Sequence, residues 1–275
     1  MIPAAFDYVR AGSADEAVAL LAEHGDDAKL LAGGHSLLPL MKLRLASPAV
    51  LVDVAGLGEL AYVRDGGDHV AIGALTRHCD LERSPLLAAE VPILAHVAGL
   101  VGDPQVRHRG TIGGSLAHAD PASDLPAVVL ALGGTLVARG PAGEREIPAR
   151  AFFRGFLESA LAPDELLTEI RVPKLGGGGW SYHKFNRRAL DWAIVGVAVV
   201  RGAEGAGIAL VNMGPTPLRA AAVEAALAGG ASPAEAARAA DDATEPPSDL
   251  NAGPDYRRHL ARVLVRRALA DAGVS

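Results

Sequence analysis

The sequence predicts a mixed α+β fold built in three parts. A capped helix between two short apolar runs opens the chain, and two alternating hairpins follow. A run of four glycines then precedes a third region with its own strands and helices. At 275 residues the chain exceeds the usual size of one domain. The predicted divisions are residues 1–55, 56–173 and 174–275.

The first part reads as a small parallel α/β unit. Ser13 and Glu16 form a capping box that predicts a helix over about 14–24. The apolar runs Ala28–Ala32 and Ala49–Val54 are short enough to be buried strands. A strand, a turn, a short helix and a strand in this order are typical of parallel α/β units.

The middle part changes to antiparallel patterns. Leu60–Gly73 alternates on both sides of the turn sequence Asp-Gly-Gly-Asp, and Thr135–Ile147 repeats that pattern around the turn 140–143. Helical stretches lie at about 76–100 and 125–132. These features predict an antiparallel sheet with helices packed on it.

The third part follows the segment Pro173–Gly179, whose four glycines cannot lie inside a stable element. It is predicted to hold a three-stranded antiparallel sheet and three helices. The strands are expected at about 180–186, 192–201 and 207–213, and the helices at about 219–228, 232–240 and 255–272. The last helix carries arginines that are expected on a solvated or subunit-facing surface: Arg257, Arg258, Arg262, Arg266 and Arg267.

Composition excludes several classes of function. The net charge is −6 and no basic run with interleaved aromatics occurs, which argues against nucleic-acid binding. The single cysteine, Cys79, cannot by itself hold an iron–sulfur cluster or a structural zinc. The first residues lack a signal-peptide pattern, and no apolar run has the length of a membrane span. We therefore expect a cytoplasmic protein.

Two separated segments each pair two glycines with a hydroxyl. One is Gly33-Gly34-His35-Ser36, with Pro39 in the first turn of a following helix, and the other is Gly113-Gly114-Ser115. Backbone N–H groups in such turns can bind an anion, and the hydroxyl of Ser36 can either cap the helix or donate to a phosphate. Two such turns suit a dinucleotide, although each could simply connect two elements.

Other common site patterns are missing. There is no G-x-G-x-x-G after a strand and no P-loop, H-E-x-x-H or G-x-S-x-G motif. His35, His108 and His118 are not spaced as a metal-ligand set, so no metal site is expected. Asp124 could accept hydrogen bonds from sugar or ribityl hydroxyls.

Three segments in order resemble the FAD-binding medium subunit of molybdenum hydroxylases. They are "LLAGGHSLLPLMKLR" from Leu30, "TIGGSLAHADPASD" from Thr111 and "SYHKFNRRALDWAIV" from Ser181. That family includes carbon monoxide dehydrogenase flavoproteins and the flavin portion of xanthine dehydrogenase. The resemblance covers nearly the whole chain, including "PDELLTEIRVP" from Pro163.

The resemblance implies two clamps for the FAD pyrophosphate and a pocket for the isoalloxazine. It assigns Leu30–Leu37 and Thr111–Ser115 to the pyrophosphate, Asp124 to a hydroxyl or ring atom, and the remaining residues to the flavin ring. The implied FAD-binding residues are Leu30, Leu31, Ala32, Gly33, Gly34, His35, Ser36, Leu37, Val101, Thr111, Ile112, Gly113, Gly114, Ser115, Asp124, Leu167, Lys184 and Trp192.

The resemblance also implies the fold and the partners. The fold would be a p-cresol methylhydroxylase-type pair of FAD-binding subdomains followed by a carbon monoxide dehydrogenase flavoprotein-like domain. The chain would transfer electrons from a small subunit with two 2Fe–2S clusters to an external acceptor, beside a large molybdenum-cofactor subunit in a dimer of heterotrimers. Two alternatives stay open, namely a self-sufficient FAD oxidoreductase and an assembly subunit without cofactor.

Overall fold

The computed structural model describes residues 2–202 and 205–274, which form a mixed structure of helices and sheets. In chain order the strands are β1 (Asp7–Arg10), β2 (Ala28–Leu31), β3 (Val50–Asp53), β4 (Val63–Asp65), β5 (His69–Gly73), β6 (Thr135–Gly140), β7 (Gly143–Pro148), β8 (Phe153–Gly155), β9 (Glu158–Ser159), β10 (Leu166–Pro173), β11 (Trp180–Phe185), β12 (Val195–Gly202), β13 (Gly205–Val211) and β14 (Leu218–Arg219).

The helices vary from single turns to one long C-terminal helix. They are α1 (Ala14–His24), α2 (Leu37–Lys42), α3 (His78–Glu82), α4 (Pro85–Glu90), α5 (Pro92–Gly99), α6 (Pro104–Arg109), α7 (Ile112–His118), α8 (Asp124–Ala131), α9 (Ala149–Phe152), α10 (Ala221–Ala228), α11 (Pro233–Ala236) and α12 (Pro254–Asp271). None of the helices in the described part of the chain is long and apolar enough to span a membrane.

The first sheet is parallel, with the strand order β1-β3-β2. The predicted helix is confirmed as α1, because the Ser13 hydroxyl accepts from the Glu16 N–H at 3.1 Å and the Glu16 carboxylate accepts from the Gly12 N–H at 2.7 Å. The sequence analysis missed β1, whose residues are mostly exposed and carry no apolar alternation.

The middle sheet has the order β4-β5-β10-β6-β7 and contains both predicted hairpins. Strand β10 lies at its centre, antiparallel to β5 and β6. The helical stretch expected at 76–100 is divided into α3, α4 and α5, because Pro85 and Pro92 each begin a new helix. Helix α8, buried along its whole length, packs against α5 and the third sheet.

The third sheet has four strands in the order β11-β12-β13-β14, so the expectation of three strands is wrong by one. The additional strand, β14, has two residues and pairs with Ala209 and Leu210, a length too short to give a sequence pattern. Alternate residues of β12 belong to different cores. Ala198 packs in the core around α8, whereas Val197 and Val199 pack in the core around α12.

Arg257 corrects the expected surface of α12. Its side chain is fully buried, with the guanidinium donating to Asp249 at 2.7 Å and to the Ile194 and Ala252 carbonyl oxygens. The arginine therefore joins α12 to the start of β12 and to the preceding linker. The sequence analysis missed this because the partners lie on other segments of the chain.

We expect Arg257→Met to lower the free energy of unfolding by about 2–4 kcal/mol, since it leaves the Ile194 carbonyl oxygen and Oδ2 of Asp249 without the donor they share. Urea unfolding of the full chain measures the change. Arg266→Met on the exposed face of the same helix is the control and should change stability by less than about 0.5 kcal/mol. Equal effects of the two variants would contradict a special role for Arg257.

Candidate functional site

A cavity of about 750 Å³ lies where the parallel sheet, the middle sheet and the β11 end of the third sheet meet. Its size suits a cofactor or other large organic ligand. Of the residues that the resemblance implies for FAD, all except Ile112 line it: Leu30, Leu31, Ala32, Gly33, Gly34, His35, Ser36, Leu37, Val101, Thr111, Gly113, Gly114, Ser115, Asp124, Leu167, Lys184 and Trp192. Residues from four distant segments thus meet around one space.

The first glycine segment connects β2 to α2 and presents free backbone donors. Within the described residues, none of the five consecutive N–H groups from Gly33 to Leu37 has a hydrogen-bond acceptor in the protein. Gly34 has φ = 77°, the left-handed conformation that glycine adopts at little cost. Ser36 does not cap α2 through its side chain, so its hydroxyl is free for a ligand. Unpartnered consecutive N–H groups are characteristic of anion-binding backbone.

The second glycine segment is the first turn of α7 rather than an open turn. Thr111 caps this helix, with its hydroxyl oxygen accepting from the Gly114 N–H at 3.1 Å. All four successive N–H groups already have acceptors: Ile112 to Thr76 O at 3.0 Å, Gly113 to Ala74 O at 2.8 Å, Gly114 to Thr111 Oγ1, and Ser115 to Thr111 O at 3.0 Å. The N–H groups from Ile112 to Ser115 are therefore not available to a ligand, which can reach the side-chain hydroxyls of Thr111 and Ser115 instead.

The glycines also allow the chain segments to approach closely. A Cβ built on Gly33 would lie 2.2 Å from the carbonyl oxygen of Arg109, and one on Gly113 would lie 2.5 Å from the Ala74 Cβ. Such distances leave no room for a side chain. The first glycine segment therefore packs directly on the residues that lead into the second, and the two enclose one end of the cavity.

Ile112 is the exception among the implied cofactor residues. Its side chain is fully buried in the core of the middle sheet and its helices, and its N–H donates to the Thr76 carbonyl oxygen. It supports α7 from behind and does not line the cavity.

Asp124 forms a buried ionic cluster with two side chains of β11. Its Oδ1 accepts from the Tyr182 hydroxyl at 2.5 Å, and its Oδ2 accepts from the Lys184 ammonium at 2.8 Å. The ammonium also donates to the Leu100 carbonyl oxygen at 3.1 Å. The side chains of Asp124 and Lys184 are 6% and 8% exposed, so the ion pair is nearly enclosed.

Strand alternation over "YHKFNRR" predicts that Tyr182, Lys184 and Asn186 share one face. This is confirmed for Tyr182 and Lys184, because both contact one carboxylate. The sequence analysis did not assign Tyr182 to the site, although its spacing of two from Lys184 was the available signal. Asn186 lies beyond the end of β11 and donates to the Ala189 carbonyl oxygen instead.

Burial and hydrogen-bond partners shift the pKa of Asp124 in opposite directions. Burial raises the pKa of Asp124 above its ordinary value, while the Lys184 ammonium and the Tyr182 hydroxyl act to lower it. Burial and the neighbouring Asp124 raise the pKa of Tyr182 well above its usual range. Tyr182 therefore stays a neutral hydrogen-bond donor. The third proton of the Lys184 ammonium has no acceptor among the described residues, and the side chain lines the cavity.

Trp192 and Leu167 stand in contrasting positions on the cavity wall. Trp192 is 58% exposed. The sequence analysis expected it at the first residue of the strand, but β12 begins at Val195 and Trp192 lies in the preceding loop. Leu167 is buried in β10 at a bulge, where the register with β6 shifts before Glu169. His78, Asp103 and Gly110 also line the cavity, but no motif in the sequence distinguishes them.

Comparison with known proteins identifies the family. The family described as the FAD-binding domain in molybdopterin dehydrogenase matches residues 4–175, and the carbon monoxide dehydrogenase flavoprotein C-terminal domain matches residues 180–272. The carbon monoxide dehydrogenase medium chain of Hydrogenophaga pseudoflava is 47% identical over 98% of this chain and 97% of that relative. The 6-hydroxypseudooxynicotine dehydrogenase complex subunit alpha of Paenarthrobacter nicotinovorans is 40% identical over 99% and 96%.

A solved structure agrees with these matches. The carbon monoxide dehydrogenase from Hydrogenophaga pseudoflava superposes with a TM-score of 0.96 at 48% identity, covering 99% of both chains. The chain therefore belongs to the FAD-binding medium subunits of the molybdenum hydroxylases. Its mixed helix-and-sheet fold is that of the carbon monoxide dehydrogenase medium subunit.

Lys184→Met should make the stability of the chain fall more steeply as pH rises, because it leaves the Asp124 carboxyl buried without its cation. The native variant then keeps a proton that the unfolded chain releases. Its free energy of unfolding should therefore fall as pH rises above the ordinary aspartate pKa of about 4. We expect a loss of about 2–4 kcal/mol at pH 7 relative to wild type. Urea unfolding at several pH values measures it.

The double variant Asp124→Asn with Lys184→Met is the matched control. It removes both charges, so most of the stability should return and the additional pH dependence should disappear. A single variant as stable as wild type from pH 5 to 8 would show that the ion pair does not contribute to folding.

Proposed function

We propose that this chain is the FAD-binding electron-transfer subunit of a molybdenum-containing hydroxylase. The observation that carries the proposal is the row of five unpartnered N–H groups from Gly33 to Leu37 on the wall of a cofactor-sized cavity. Consecutive backbone donors of this kind bind phosphate, and Gly34, at φ = 77°, has no side chain that would cover them. The donor set therefore fits the diphosphate of FAD.

The two glycine segments would bind the diphosphate by different means. Gly33–Leu37 would supply backbone N–H groups, whereas the second segment would supply the Thr111 and Ser115 hydroxyls, because the N–H groups from Ile112 to Ser115 are already bonded. Both hydroxyl residues line the cavity. Both segments would thus donate hydrogen bonds to the diphosphate.

The isoalloxazine would lie at the other end of the cavity. Val101 and Leu167 would give it an apolar wall, Trp192 would cover it from the exposed loop, and the Lys184 ammonium would donate its free proton to a ring acceptor. Asp124 would act through Lys184, since both of its oxygens accept from protein donors. FAD supplies the redox chemistry when bound, and these residues supply position, enclosure and charge.

The family supports the partners named in the sequence analysis. The relatives include the medium chain of a carbon monoxide dehydrogenase, and a solved structure that the chain resembles at 42% identity comes from a Cu,Mo carbon monoxide dehydrogenase. We propose a large molybdenum-cofactor subunit and a small 2Fe–2S subunit, arranged as a dimer of heterotrimers in the cytoplasm. Cys79 is the single cysteine, so the clusters would belong to another chain.

The proposal includes the finer fold description. We propose p-cresol methylhydroxylase-type FAD subdomains at 1–55 and 56–173 and a separate domain at 174–275. The separation of the parallel, five-stranded and four-stranded sheets along the chain supports this division.

Gly34→Val should weaken FAD binding at least about tenfold, because valine disfavours φ = 77° and its Cβ would lie 2.9 Å from Leu38. Titration of FAD into the FAD-free full chain measures the affinity. Gly177→Val is the control, since Gly177 has φ = 79° and an open Cβ position outside the cavity. It should cost similar backbone strain but leave FAD affinity unchanged. Equal affinities of wild type and Gly34→Val would contradict the diphosphate assignment.

Purification of the chain alone should give a yellow protein that releases FAD on acid precipitation, because no residue is assigned to a covalent link. Oxidisable substrates should not bleach its colour until the molybdenum and 2Fe–2S subunits are added. Direct bleaching by a substrate would favour the self-sufficient oxidoreductase instead. A colourless chain that cannot take up FAD would favour the assembly subunit.

A further inference from the structure

His78 is a buried histidine on the cavity wall with no assigned role. It is the first residue of α3, the residue is 4% exposed, and it lines the cavity. Its ring nitrogen Nδ1 is fully enclosed and has no hydrogen-bond partner among the described residues. The other nitrogen, Nε2, also has no protein partner but is not enclosed. A core histidine normally has partners for its nitrogens, so this one differs from a structural residue.

The ring of His78 lies where the two glycine segments meet. The backbone N–H of His78 donates to the Gly110 carbonyl oxygen at 3.0 Å. A Cβ built on Gly110 would lie 2.9 Å from Nε2 of the ring, and one built on Gly33 would lie 2.9 Å from the Gly110 Cα. Gly110 therefore lies close both to the imidazole edge and to Gly33, the first residue with a free N–H.

The charge state of the imidazole decides how many N–H donors it has. Burial lowers the pKa of His78 to about 4, and the nearby charges of His35 and Arg107 act in the same direction. At neutral pH the imidazole has one N–H. If the proton is on Nδ1, an enclosed N–H has no acceptor. The tautomer with the proton on Nε2 avoids this and presents its N–H to the cavity.

We propose that His78 is a diphosphate-binding residue that donates its Nε2–H to a phosphate oxygen of the dinucleotide held by Gly33–Leu37. This inference rests on the proposed function. A neutral donor adds a hydrogen bond to the anion without a buried positive charge, which the enclosed ring could not carry cheaply. The ring would thus complete the backbone donors from the side of the middle sheet.

The test compares three variants of the FAD-free full chain. His78→Phe keeps the ring volume and removes both nitrogens, His78→Gln places an amide N–H near the position of Nε2, and His96→Phe removes an exposed imidazole outside the cavity. Dissociation constants for FAD and for ADP are measured by titration, and melting temperatures of the FAD-free chains are recorded. ADP has the diphosphate but lacks the flavin.

His78→Phe should weaken the binding of both FAD and ADP by about tenfold to a hundredfold, which is the effect of losing one hydrogen bond to a charged group. His78→Gln should recover much of this loss, and His96→Phe should match wild type. Unchanged affinities in His78→Phe would overturn the inference, as would weaker FAD binding with normal ADP binding. A wild-type chain that binds FAD while His78→Phe shows only a lower melting temperature would leave the proposed function intact and reject this role. A wild-type chain that binds no FAD would overturn both.

Discussion

The carboxylate of Asp124 is the contact on which the architecture around the cavity depends. Asp124 begins α8, the helix packed between α5 and the four-stranded sheet, and its carboxylate accepts from Tyr182 and Lys184 of β11. A buried carboxylate is tolerated only when its oxygens have donors, and here two strand residues supply them. Through the same Lys184, the cluster also holds the Leu100 carbonyl oxygen. One charged group thus ties together the helix, the strand and the loop that form one wall.

The opposite end of the cavity depends on the absence of side chains. Gly33 lies against the Arg109 carbonyl oxygen, and Gly113 lies against Ala74, at distances that no Cβ could occupy. This packing brings two segments about eighty residues apart in sequence into contact. The result is an asymmetric pair in which the first segment presents free backbone donors while the second, bonded in α7, presents hydroxyls. His78 lines the cavity beside their junction. This pair of segments suits a ligand with two phosphates better than a single glycine turn would.

Whether a feature could be predicted from the sequence depends on how far apart along the chain its interacting residues lie. The capping box of Ser13 and Glu16 and both hairpins were predictable, because their interactions span only a few residues. The prolines Pro85 and Pro92 were visible in the sequence but were not used to divide the predicted helix. Strands β1 and β14 carry no apolar alternation of useful length, so pattern reasoning could not find them.

Within the site, the sequence by itself determined which segments carry glycines and hydroxyls, and the family resemblance connected them to FAD. It also determined that Tyr182 and Lys184 share a face, since strand alternation is local. Only the tertiary structure decided that Asp124 meets them, that the N–H groups of α7 are occupied, that Arg257 is buried and that His78 keeps a free nitrogen. The physical reason is that hydrogen-bond satisfaction and burial depend on partners distant in sequence, which no local pattern records.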